Sequence, residues 1–95
     1  MIERHEREMG ISYKEFFRLL PIALKNIDYE VVDRLIKFQY CGGNIQIKLG
    51  VERERKIASL VIPVMDVVFI YTDINSQDIE RFVLQFDRSY QRGGG

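Results

Sequence analysis

The sequence predicts an α+β fold, a two-layer sandwich in the order α-β-β-β-β-α, with a four-stranded antiparallel sheet and both helices packed on one face. Three observations carry this. A helical apolar rhythm follows Ser12 and another follows Asn75, and the chain between them alternates with a period of two. Gly42-Gly43 lies between two such alternating runs, the pattern of a hairpin. From Ile57 to Thr72 the chain is dense in β-branched and aromatic side chains and is broken once, at Pro63.

Residues 1–11 read as a charged N-terminal arm. Glu3 and Arg7, like Arg4 and Glu8, stand four apart in helical pairing positions, and Gly10 suits a left-handed helix end. So short a segment is marginal as a helix, so a solvated arm is expected. The folded domain then spans residues 12–90. Ser12 caps the first helix with Glu15 as its reciprocal partner, and Ile11 and Phe16 take the spacing of a hydrophobic staple. Phe16, Leu19 and Leu20 form its apolar face, widened by Phe17. Pro21 should stop or kink it, with room for one further turn through Ile22-Ala23-Leu24.

Ile36, Phe38 and Tyr40 alternate with Lys37 and Gln39, and Ile45, Ile47 and Leu49 with Gln46 and Lys48. A two-residue loop at Gly42-Gly43 sets Tyr40 opposite Ile45, Phe38 opposite Ile47 and Ile36 opposite Leu49, with all apolar side chains on one face. It also sets Lys37 against Lys48, a pair that needs solvent or an anion between its charges. Residues 50–56 read as a charged connection. Ala58, Leu60 and Ile62 make the third strand, Pro63-Val64-Met65 a tight turn, and residues 66–72 the fourth strand. The last helix is capped by Asn75 or Ser76, has Asp78 in its first turn, and buries Ile79, Phe82, Val83, Phe86 and Tyr90. Residues 91–95 are expected to form a flexible glycine-rich tail.

In this plan the fourth strand is an edge with apolar side chains on both faces: Val67, Phe69 and Tyr71 inward, Val68 and Ile70 outward. Such an edge invites association. A homodimer through the sheet is the expected solution, with Val68 and Ile70 in the interface and Lys37 and Lys48 toward the other edge. A central position for this strand, or a cover from the N-terminal arm, would remove that need.

Ninety-five residues make one domain. Lys plus Arg and Asp plus Glu are 14 each, a zero balance that lacks the footprint of a nucleic-acid or membrane-surface binder. The single cysteine, Cys41, excludes an intrachain disulfide and fits a reducing compartment, so a cytoplasmic location is expected, with no secretory signal and no bilayer-spanning run.

Candidate chemistry is sparse. His5 is the only histidine, and Met9 stands where a zinc-helix motif needs a second one. Cys41 has no base beside it in sequence and reads as a buried structural thiol. Asp66, ahead of an apolar strand, reads as a turn acceptor or a buried acid. Lys37, Gln39, Gln46 and Lys48 could present donors to RNA or an anion, but Phe38 and Tyr40 face the other way and cannot stack there. Arg92-Gly93-Gly94-Gly95 resembles, over these residues only, the free Gly-Gly end of ubiquitin-like and sulfur-carrier proteins. The resemblance implies a carrier activated at Gly94-Gly95, although those families place a helix between two hairpins. The residues together predict a small non-enzymatic protein-interaction domain with no cofactor and no metal.

Overall fold

The structure is a computed structural model that describes the backbone of residues 1–94 and the side chains of residues 1–91. Gly95, and with it the end of the expected tail, lies outside the described residues. In chain order the elements are β1 (Ile2–Met9), α1 (Tyr13–Ala23), β2 (Tyr29–Val32), β3 (Leu35–Tyr40), β4 (Gly43–Leu49), β5 (Arg53–Ile57), β6 (Leu60–Thr72) and α2 (Ser76–Gly94). The α+β class stands, but the sheet has six strands where four were expected, in the order β1-β6-β4-β3-β2, with β5 pairing the first half of β6. Every pairing is antiparallel.

The largest correction concerns β1. The expected arm is a strand whose eight residues all pair with β6, from Ile2 opposite Thr72 to Met9 opposite Met65. Charges four apart satisfy a helix locally, yet eight residues gain more from a complete ladder than from one isolated helical stretch. The second correction follows from the first. β6 lies between β1 and β4 and is no edge, so the physical premise of an exposed fourth strand is removed.

No turn forms at Pro63. β6 runs straight through it for 13 residues, and the hairpin turn falls earlier, at Ala58-Ser59, between Ile57 and Leu60. Pro63 is tolerated because it lies past the end of the β1 pairing, where β6 has only β5 beside it and a missing amide is affordable. The charged connection of the sequence reading therefore contains β5.

The β3–β4 hairpin exists, shifted by one residue in its turn and by two in its register. Cys41-Gly42 forms the loop, with φ 49° and 81°, and Phe38 faces Ile45 while Ile36 faces Ile47. Gly43 is needed inside the strand instead: a Cβ there would stand 2.2 Å from the Thr72 carbonyl oxygen and 2.6 Å from that of Asp73. A shift of two keeps every side chain on its face, so the apolar alternation survives the error.

α1 starts where expected, with the Ser12 hydroxyl accepting from the Glu15 amide at 3.2 Å and Ile11 and Phe16 both buried. The reciprocal half of the capping box gives way to an ion pair in which the Glu15 carboxylate accepts from Arg18 Nε at 2.7 Å. It passes through Pro21 for the allowed further turn, and Asn26 at φ 65° follows its end. Asn75 caps α2, its side-chain oxygen accepting from the Asp78 amide at 2.8 Å. The buried side chains of α1 and α2 join those of β3, β4 and β6 in one core. Aromatic rings dominate its centre: Phe86 lies 4.5 Å from Tyr90 and 5.2 Å from Phe69, and Phe82 lies 5.7 Å from Phe38. The Tyr90 hydroxyl donates to the Phe16 carbonyl at 2.8 Å, tying α2 to α1.

Two substitutions separate these hairpin residues. Gly43→Ala should destabilise the fold by roughly 2 kcal/mol or more, because backbone atoms occupy the space of the added methyl. Cys41→Asn should stabilise it by about 0.5 kcal/mol, since Asn-Gly suits two successive left-handed residues better. Urea midpoints measure both, and a neutral Gly43→Ala would contradict the close approach.

Candidate functional site

The register arranges the outer sheet face in rows. One row runs Arg4, Ile70, Gln46, Lys37 and Glu30, and the next runs Glu6, Val68, Lys48, Leu35 and Val32. Val68 and Ile70 are half-buried in these rows. Each stands between polar side chains of its own chain, Arg4 and Gln46 beside Ile70 and Glu6 and Lys48 beside Val68. Long polar side chains cover apolar neighbours with their stems while keeping their heads wet. Part of the cover that the sequence reading assigned to a second molecule thus comes from β1 and β4. Lys37 faces Glu30 and Gln46, and Lys48 faces Leu35 and Val68, so the expected lysine opposition does not occur. The two-residue register shift is its cause, and it removes that argument for an anion.

His5, Cys41 and Asp66 do not form one site. His5 lies on β1, with its Nε2 2.7 Å from a Glu3 carboxylate oxygen and its ring edge-on to Tyr71. Cys41 is exposed in the β3–β4 turn, which corrects the expectation of a buried thiol. The turn backbone fixes its position, and no core is available to it there. Asp66 is neither a buried acid nor a turn residue. It sits on β6, where its carboxylate accepts from Arg53 at 3.2 Å and its carbonyl from the Gly50 amide at 2.7 Å. Among the described residues no group of three or more His, Cys, Asp or Glu side chains could hold a metal, and no helix is long and apolar enough to cross a membrane.

Two other features escaped the sequence reading. Between β1, β6 and α2 lies a small cavity of about 60 Å³ lined by His5, Arg7, Phe69, Tyr71, Val83 and Phe86. Arg7 reaches over it to Asp87 at 2.5 Å and stacks its guanidinium above Phe69 and Phe86, 5.3 and 5.6 Å from the ring centres. Among the described residues, the Arg7 Nε and the Tyr71 hydroxyl are buried without hydrogen-bond partners. Burial pushes the Tyr71 phenol up to about 12 and raises that of Tyr90 as well.

The second feature is the β5–β6 arm. Residues 53–61 are all exposed, and no side chain of β5 enters the core. Ion pairs at its base fix its direction: Arg53 bonds Glu8 at 2.8 Å and Asp66 at 3.2 Å, and Arg55 bonds Glu8 at 2.5 Å. Its tip carries Ile57, Leu60 and Val61, exposed by 51%, 62% and 52%, so over half of each apolar side chain meets water. Arg-Glu-Arg-Lys has no apolar alternation, so no strand signal is legible here. The adjoining Ile57-Ala58-Ser59-Leu60 could have suggested a short turn between strands.

The two buried tyrosines should respond oppositely. Tyr71→Phe removes an unpartnered hydroxyl and should leave stability at pH 7 unchanged or up to about 1 kcal/mol higher, whereas Tyr90→Phe should cost about 1 kcal/mol. Above pH 10 an unfolded tyrosine loses its proton while folded Tyr71 keeps it, so the unfolded state binds fewer protons and stability falls as pH rises toward 12. Denaturant titrations across that range measure this, and Tyr71→Phe should flatten part of the fall.

Compared with family models, with curated proteins and with solved structures, the chain matches none.

Proposed function

We propose that this chain is a non-enzymatic protein-interaction domain, homodimeric through its sheet, in which both helices form one layer and the β5–β6 arm is offered to a protein partner. One observation carries the reading: Ile57, Leu60 and Val61 are held out on an arm that the core does not stabilise. Apolar side chains gathered in water mark a surface that gains by being covered. The ion pairs of Arg53 and Arg55 with Glu8 and Asp66 support the same reading, because they order the arm before any encounter and so lower the entropy cost of binding. The zero net charge adds little long-range repulsion between copies.

The triple variant Ile57→Ser/Leu60→Ser/Val61→Ser should keep its unfolding midpoint within about 1 kcal/mol of the parent, because it touches no core residue. A photo-crosslinking amino acid at position 59 should trap a discrete protein adduct in the native host, and the triple variant should lose it. Adducts that persist in the triple variant would overturn the role of the arm. Light scattering checks self-association separately: a mass of 11.2 kDa at every concentration would overturn it.

A further inference from the structure

The geometry points to β1 as the dimer seam: a second copy of this chain adds its own β1 antiparallel to this one, across a two-fold axis at His5. The inference rests on the self-association proposed above and names the surface and register that perform it. Among the described residues β1 ends the sheet and pairs with β6 alone, so its other edge is open to a strand.

Backbone geometry restricts the registers. The Asp73 amide donates to the Met1 carbonyl at 2.9 Å, and Met1 stands opposite Asp73 when the β1–β6 register is continued by one residue. Hydrogen-bonded and non-hydrogen-bonded pairs alternate along an antiparallel ladder. The odd residues of β1 therefore spend their amides and carbonyls on β6, while Ile2, Arg4, Glu6 and Glu8 turn theirs to the open edge. A second β1 must pair even residues with even residues.

Charge then selects one register. A two-fold at Glu3, Arg4, Glu6 or Arg7 sets that side chain against its own copy, opposing like charges on the axis. At His5 two kinds of charged pair are complementary: Arg4 meets Glu6 of the second copy, Glu3 meets Arg7, and symmetry repeats both pairs. Ile2 faces Glu8, whose carboxylate is already held by Arg53 and Arg55. Charges on an edge strand ordinarily discourage pairing. Here they disfavour the neighbouring registers and favour the one centred on His5.

The helix layer agrees. A two-fold normal to the sheet puts both α2 helices on the same side of the joined sheet. Asp87 meets Arg7 on β1, and Leu84, one turn before it, lies on that same side of α2. Leu84 is 63% exposed, an apolar side chain on the flank of α2 that no part of the core covers.

The full-length chain with Cys41→Ser tests this, since exposed Cys41 could otherwise crosslink by itself. Adding His5→Cys sets two thiols across the axis in a non-hydrogen-bonded pair, with a Cα separation of about 4.5 Å, within disulfide reach. Mild oxidation should convert most of the protein to a covalent dimer. Glu3→Cys in the same background should give little, because the two copies of residue 3 stand roughly 14 Å apart. With position 5 intact, Arg4→Glu should weaken the dimer about tenfold or more, and Arg4→Glu/Glu6→Arg should return it to within about threefold of the parent. A parent that is dimeric while His5→Cys fails to crosslink, or while Arg4→Glu has no effect, overturns the seam and leaves self-association standing. A parent that stays monomeric at every concentration overturns both.

Discussion

β6 is held along both of its edges, and the rest of the structure depends on that double ladder. Residues 67–72 pair with β4 on one side and β1 on the other, so the backbone groups of successive residues in the most apolar strand of the chain are satisfied alternately by its two neighbours. Its inward side chains, Val67, Phe69 and Tyr71, then meet the rings of α2. Its outward ones, Val68 and Ile70, are flanked by Arg4, Glu6, Gln46 and Lys48. A charged N-terminal segment that could gain little as a helix becomes structural by completing this arrangement.

The same ladder explains where the molecule is wet. β6 outruns its neighbours: beyond Met65 β1 has ended, and only β5 follows it outward. The result is an arm fastened by charge at its base and apolar at its tip. At the opposite end of β6, Gly43 lets the β3–β4 hairpin close against Thr72 and Asp73, and Cys41 accepts a left-handed backbone so that this closure can occur. Both ends serve the strand between them.

The proposed interaction role draws these features together. The buried polar atoms of Arg7 and Tyr71 sit in a space too small for a sizeable ligand, while the apolar arm and the open edge of β1 are of a size and chemistry that proteins cover. The mirror of charge about His5 belongs to the primary sequence. It acquires meaning only once residues 2–9 are a strand with a free side, because on a helix the same residues pair four apart within one chain.

The sequence by itself determined the helix cap at Ser12 and, to within one residue, that at Asn75, the buried faces of both helices, and the facing of the side chains at 36–40, 45–49 and 67–71. These follow from local period and local hydrogen bonding, which neighbours in the chain record. Tertiary structure alone decided that residues 2–9 and 53–57 are strands, that Pro63 lies within one, and that the turn closes at Cys41-Gly42. Strands β1 and β5 draw their stability from a backbone ladder to β6 and present mostly charge to solvent, so they leave no apolar rhythm to read. The turn is set by residues 72–74, some thirty residues away, because the Thr72 and Asp73 carbonyls and the Ile74 side chain leave no space for a side chain at position 43.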